Sequence, residues 1–276
     1  MHRRTFLKAA IAVAVPATPV AAASYGLYEA GSVKVERQTI ALPRLPAAFD
    51  GLRVAFLTDI HHGPYIHLDY VASLVRTTDA LNPDLVLLGG DYSSKEAKYI
   101  APCFDVLSGL TAPLGVYGVR GNHEYLHGLT ESVEGFRTSR IAELTNTGVW
   151  LERGGSRFRL AGIDDLWYGK PDLGAALGNA TSTDACLLLS HNPDFAETLK
   201  DPRVGLILSG HTHGGQVYVP GFGAPIVPSR YGQKYLKGLV EAPMTQVYIS
   251  RGLGTVAPPV RYNCRPELTL ITLRAA

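Results

Sequence analysis

At 276 residues the chain has room for one large domain or two small ones, and 46% hydrophobic against 18% charged residues supplies a sizeable core and argues against disorder. The formal charge of +2 arises at the amino end: without Arg3, Arg4 and Lys8, 23 of the 26 basic residues remain against 24 acidic ones. A balance near zero, with no basic run or basic–aromatic stripe, argues against a stable nucleic-acid partner.

Residues 1–23 have the three-part layout of an export signal. A charged start, Met1-His2-Arg3-Arg4-Thr5-Phe6-Leu7-Lys8, is followed by an apolar stretch over 9–20 and the small run Ala21-Ala22-Ala23. The paired arginines before Phe-Leu-Lys resemble a twin-arginine signal, which makes that translocase an expected partner during export. The apolar stretch is interrupted by Pro16 and Pro19 and falls short of the ~20 residues a spanning helix needs. Cleavage near Ser24 is therefore expected, giving a periplasmic, cell-wall or membrane-associated protein rather than a permanently anchored one.

Residues 24–48 read as a connector with an alternating edge strand over 33–42. A strand–helix rhythm follows within a single expected domain, 49–276: strand 52–58, helix near 67–80, strand 84–89, helix near 95–108, strand 114–120 and helix near 131–146. A hairpin pairs 149–152 with 157–163 through Gly154-Gly155, and a short segment opens at Pro171. Strand 185–190 precedes a helix capped by Asn192 with Pro193 at its first position. Strand 204–209 comes next, and the tail is β-rich at 215–219, 235–240, 245–250 and 267–273. Two largely parallel sheets packed face to face with helices outside absorb this pattern, an α/β/β/α sandwich of four layers. Cys103, Cys186 and Cys264 are widely spaced and odd in number, which argues against a disulfide framework or a cysteine zinc site.

Five polar blocks end the apolar runs: Asp59-x-His61, Gly90-Asp91, Gly121-Asn122-His123-Glu124, His191 and Gly210-His211-Thr212-His213. Ligands collect at the carboxyl ends of strands in sheets with helical crossovers, so the blocks can share one crevice. Asp59 and His61 alternate along an extended segment and so share a face, and His211 and His213 repeat that spacing. Carboxylate, imidazole and amide donors suit borderline divalent cations such as manganese, zinc or iron. Asp59, His61, Asp91, Asn122, His191, His211 and His213 make seven candidate ligands. That exceeds one tetrahedral site and suits two cations sharing a carboxylate, a pair able to hold a hydroxide between them for attack on phosphorus.

In this order and spacing the blocks resemble the calcineurin-like metallophosphoesterase superfamily over about 50–215. The leader and the tail pieces Ser250-Arg251-Gly252-Leu253-Gly254, Pro259-Val260-Arg261 and Pro266-Glu267 resemble its exported YkuE-type branch. The resemblance implies one metal on Asp59, His61, Asp91 and His213, and a second on Asp91, Asn122, His191 and His211. It implies His123 as the catalytic residue that stabilises charge or protonates the leaving oxygen. Purple acid phosphatases carry a tyrosine where this chain has Ser94, and Ser/Thr phosphatases carry Asp-Arg-Gly where it reads Asp91-Tyr92-Ser93. Neither subgroup is expected.

The expected function is hydrolysis of phosphate mono- or diesters in the cell envelope. One alternative is a pyrophosphatase acting on lipid-linked or nucleotide-sugar diphosphates, and another is a non-catalytic metal-binding envelope protein. Several residues stay open between two roles at this level. Arg251 and Arg261 either clamp a phosphate or hold the C-terminal loops, and Asp164-Asp165 either orients a ligand histidine or caps a turn. Trp167-Tyr168 lines the cleft or packs. His62 is expected at the rim, and His67 and His127 as ordinary surface or loop residues.

Overall fold

The computed structural model describes residues 19–276; residues 1–18, which carry the expected twin-arginine motif, lie outside the described residues. Among the described residues twelve strands form two six-stranded sheets. The first has the order β1 (Lys34–Leu42), β12 (Glu267–Ala275), β2 (Arg53–Leu57), β3 (Leu85–Leu88), β4 (Val116–Gly118), β5 (Ala142–Glu143). The second runs β10 (Gly238–Glu241), β11 (Gln246–Ile249), β9 (Val204–Ser209), β8 (Cys186–Leu189), β7 (Ser156–Gly162), β6 (Thr147–Arg153). Pairing is parallel from β2 through β5 and from β7 through β9 to β11. It is antiparallel at β12–β2, β10–β11 and β6–β7.

The expected four layers are present. Val54, Phe56, Leu85 and Leu87 of the first sheet meet Phe158, Leu160, Leu187, Leu206 and Leu208 of the second in the central core. On the outer face of the first sheet, Ala55, Leu57, Val86 and Leu88 pack against α2 (Leu68–Ala80), α3 (Ile100–Leu107) and α5 (Leu129–Thr138). The second sheet is covered by α6 (Leu173–Leu177), α7 (Phe195–Thr198) and Tyr235. Burial on both faces explains why β3 and β8 are unbroken apolar runs rather than alternating ones. Cys103, Cys186 and Cys264 are all free and buried.

Several elements depart from the expected boundaries. The helix expected to reach residue 146 stops at Thr138, because Ile141 and Leu144 are taken into the two cores and Ala142–Glu143 adds β5 to the sheet edge. The helix expected from 95 becomes α-helical only at Ile100, after a 3-10 turn over Ala97–Tyr99. A helix over Asn122–His127, α4, was not foreseen. Asn192 caps a turn rather than a long helix: its Oδ1 accepts from Asp194 N at 2.9 Å, and α7 spans only four residues. Residues 215–219 form no strand. Gly214, Gly215 and Gln216 all take positive φ, leaving single bridges at Val217–Tyr262 and Val219–Gly223.

The first described helix, α1 (Pro19–Ala30), runs across the expected processing point at Ser24. Beyond that point it is tied to the domain. Gly26 O accepts from Arg261 N at 3.0 Å, the buried Glu29 carboxylate accepts from Cys264 N, and the Tyr25 ring meets Tyr262 edge-on at 5.1 Å. No helix among the described residues is long and apolar enough to cross a membrane.

Candidate metal centre

The strands β2, β3, β4, β8 and β9 all deliver their carboxyl ends to one crevice between the sheets. Backbone hydrogen bonds lock those ends together: Asp59 N donates to Gly90 O, His61 N to Asp91 O and Gly210 N to His191 O, each at 3.0 Å. Thr58 Oγ1 and the His211 N–H hold the Asp59 carboxylate at 2.9 and 3.0 Å. The motif glycines have a steric cause, since a Cβ at Gly210 would overlap Asp59 Oδ2 and one at Gly121 would overlap Asp91 Oδ1.

All seven expected ligands converge, and all are buried. Asp59, His61 and His213 form one group, and Asp91, His191 and His211 another; His123 also falls into a group with His61 and Asp91. His61 Nε2 and His213 Nε2 face each other at 2.9 Å, with Asp59 Oδ1 3.4 Å from His213 Nε2. On the other side His191 Nε2 lies 3.1 Å from Asn122 Oδ1 and 3.2 Å from Asp91 Oδ2. That same Oδ2 is 3.5 Å from His61 Nε2, whereas Oδ1 accepts from His123 N at 2.9 Å.

The residues converge as expected, but through a different backbone geometry. Asp59 and His61 do not share the face of an extended segment. Their φ values are 54° and 52°, and Asp91, His211 and His213 are also left-handed at 57°, 69° and 54°. Each strand end is kinked inward, a conformation that costs a non-glycine residue ~1–3 kcal/mol.

The donor set fits divalent cations. Burial holds His61 and His211 neutral, each pushed down to about 3, and lowers His213 well below its usual range. Neutral imidazoles present the lone pairs that metals bind. His211 Nε2 is buried without a hydrogen-bond partner. Burial raises the Asp59 carboxyl to about 6. Burial also pushes Asp91 upward, but the imidazoles of His191, His123 and His61 hold it well below the usual carboxylate range. His191 would be lowered by burial, yet Asp91 and Asp59 raise it to about 10. A cation held by His191 and Asp91 would supply the positive charge that this proton provides.

A calcineurin-like phosphoesterase family model matches residues 52–215, the span that carries all seven convergent candidate ligands. The chain belongs to this family. It is 30% identical to the uncharacterized metallophosphoesterase YkuE of Bacillus subtilis over 100% of this chain and 98% of that one. It is 32% identical to the phosphodiesterase YaeI of Escherichia coli over 99% of each. An uncharacterized metallophosphoesterase of Aquifex aeolicus is 30% identical over 91% of this chain and 95% of its own. The protein is a metal-dependent phosphoester hydrolase.

The structure also resolves the roles left open. Arg251 pairs with Glu267 at 3.0 Å and Glu36 at 3.2 Å. Arg261 is fully buried and donates to the carbonyls of Gly254, Arg251 and Cys264. Both hold the C-terminal loops. Asp165 caps a turn, accepting from Trp167 N and Tyr168 N, and Asp164 accepts from the Tyr125 hydroxyl and Lys170 N. The turn sets the Trp167 ring edge-on to His211 at 4.3 Å, so this tryptophan lines the cleft. His62 turns away, with its Nδ1 on Ile66 O, and His67 is an exposed residue before α2.

Two residues were missed. His127 was expected to be ordinary, yet its ring lies 5.0 Å from that of His123; the i, i+4 spacing on one short helix was the available signal. Glu124, the last residue of its motif, is fully buried beneath the site and accepts from Asp91 N, Tyr92 N and Gly121 N at 2.7–2.9 Å. Glu124→Ala orphans three buried N–H groups, each worth about 1–3 kcal/mol. We expect a lower urea midpoint in chelator-treated protein together with reduced metal content. A variant that keeps wild-type stability and metal content would show that Glu124 does not shape the Asp91 turn.

Proposed function

We propose that the protein is an exported dinuclear phosphoesterase that hydrolyses phosphate mono- or diesters. The observation that carries this reading is Asp91: its Oδ2 faces both His61 and His191, one oxygen shared by two donor groups, while its Oδ1 is tied to the His123 N–H. One cation, of manganese, zinc or iron, would be held by Asp59, His61, Asp91 and His213. A second would be held by Asp91, Asn122, His191 and His211. When bound, the two supply charge neutralisation at the phosphate and an activated water.

The chain's own residues do the rest. His191 Nδ1 donates to Gly89 O at 2.8 Å, which fixes the tautomer and turns Nε2 toward Asp91. His123 stands 4.5 Å from the His61 ring and is partly exposed to the cleft, where it can deliver a proton to the leaving oxygen. Trp167 walls the cleft beside His211. The name phosphodiesterase, borne by the Escherichia coli relative that matches end to end, supports diesters over monoesters. Export through the twin-arginine route would place the loaded enzyme in the envelope, with Tyr25, Gly26 and Glu29 kept after processing at Ser24.

Metal-loaded protein should hydrolyse bis-p-nitrophenyl phosphate faster than p-nitrophenyl phosphate, and Asp91→Asn should lose activity and metal from both positions. Turnover confined to a lipid diphosphate would favour a pyrophosphatase. Two tightly held ions per chain in Asp91→Asn would defeat the shared-carboxylate assignment.

His123→Ala should keep its metals and lose about 10²–10⁴-fold in turnover, most for esters with poor leaving groups. Equal losses for good and poor leaving groups would leave electrostatic stabilisation in place of proton donation.

Replacing Arg3 and Arg4 by lysine should strand an uncleaved precursor in the cytoplasm, since the paired guanidiniums are what the receptor reads. N-terminal sequencing of the wild-type exported protein should begin near Ser24. An intact chain recovered from washed membranes would establish a retained anchor.

A further inference from the structure

We propose that the loop over 217–231, beside α1, is a lipid-surface contact that seats the metal cleft against a bilayer. The inference deepens the envelope reading above and rests on it for the compartment alone. Phe222 and Ile226, at 88% and 78% exposure, are the two most exposed large apolar side chains among the described residues. They sit on the loop that leaves the His211–His213 block directly. Gly215, two residues past His213, is pressed so closely against Ala224 and the Ile226 carbonyl that a Cβ would not fit.

The loop is held in place. The Gln233 side chain brackets Ala224, accepting from its N–H at 3.1 Å and donating to its carbonyl at 2.6 Å. The Asp194 carboxylate accepts from Ser229 Oγ and from Arg230 N at 2.8 Å. Pro220, Pro225 and Pro228 restrict it further. A pinned loop that keeps two large apolar tips in water forgoes burial it could otherwise have, which marks a contact surface.

Its position and its charge point to a lipid occupant. Tyr218 N donates to Tyr262 O at 2.8 Å, and the Tyr262 ring meets Tyr25 of α1, the helix into which the apolar leader sequence runs. The loop therefore adjoins the point where the leader enters the fold. Tyr28 shares a helix face with Tyr25 and is 72% exposed, an amphipathic ring of the kind enriched at headgroup depth. Lys237 lies over the Tyr218 ring at 4.1 Å, and Arg230 is exposed at the loop's far end, a pair of cations suited to anionic headgroups. Once the leader is removed, this surface would keep the cleft at the membrane, where lipid-borne phosphoesters are presented.

The native cysteines are buried, so a single engineered thiol can be labelled selectively. Full-length Phe222→Cys, carrying a nitrobenzoxadiazole fluorophore, is mixed with vesicles of phosphatidylethanolamine and phosphatidylglycerol, some with brominated acyl chains. Glu152→Cys, at the far end of β6, serves as the control. Emission at 222 should shift to the blue and be quenched by bromine, with no change at 152. The double variant Phe222→Ser, Ile226→Ser should bind vesicles about tenfold or more weakly, with unchanged turnover of soluble bis-p-nitrophenyl phosphate. No shift at 222, even where the protein floats with the vesicles through its leader, overturns the proposal. A shift that grows with protein concentration in the absence of lipid also overturns it, in favour of a second copy on the loop. Absence of turnover in wild type and variant alike would count against the phosphoesterase reading and leave the lipid contact standing.

Discussion

Everything about this site follows from carrying carboxylates and imidazoles to the dry ends of buried strands. Parallel strands sealed on both faces offer no solvated surface except where they stop. There the chain must turn at once and still aim its side chains inward. Asp59, His61, Asp91, His211 and His213 all meet that demand with left-handed backbone, which a β-carbon resists. Five such residues together carry strain comparable to the stability of a whole domain. The surroundings hold them there: backbone bonds between neighbouring strand ends, the Asp59 carboxylate on the His211 N–H, and Glu124 on three N–H groups of the Asp91 and Gly121 turns.

The same burial that creates the strain sets the chemistry. Burial favours the neutral form of three imidazoles, while the carboxylates beside His191 favour its protonated form. Such a cluster is electrostatically incomplete, since Nδ1 of His61 and Nε2 of His211 are buried without a hydrogen-bond partner. Cation binding and folding of this region are therefore linked, and metal affinity falls as protons compete for the same nitrogens.

The layered fold and the convergence of the seven candidate ligands could be read directly from the chain. Leu85-Val86-Leu87-Leu88 and Cys186-Leu187-Leu188-Leu189 are apolar at every position, which a half-exposed strand cannot be, and the polar residues that follow have no other reason to stand there. What could not be read depends on tertiary placement. Spacing i, i+2 gave the right convergence for Asp59 and His61 through the wrong backbone geometry, because local pattern does not reveal a left-handed kink. The α5 helix ends early at Thr138 because Ile141 and Leu144 are claimed by cores built from distant strands. Arg251 and Arg261 carry the charge a phosphate would want, and only their burial against Glu36, Glu267 and loop carbonyls shows that they serve the fold.

Those two arginines also explain why the chain needs a tail beyond residue 215. Gly252 lies against the Asp59 side chain and Gly254 against the Ile60 carbonyl so closely that neither tolerates a side chain, and Gly254 N donates to Asp59 O at 2.6 Å. The 252–254 segment is thus the back wall of Asp59. Arg261 clamps that wall by its carbonyls, α1 supports Arg261 through Gly26, and Glu29 holds the backbone of Cys264, whose thiol reaches His213 O. A continuous path of hydrogen bonds therefore runs from the helix at the described amino end to His213, a candidate ligand. The site is braced by α1 and by the 252–264 segment, although all its candidate ligands lie between Asp59 and His213. Loss of α1 would loosen His213 before it touched the sheets, since β1 and β12 pair with each other along nine residues independently of it.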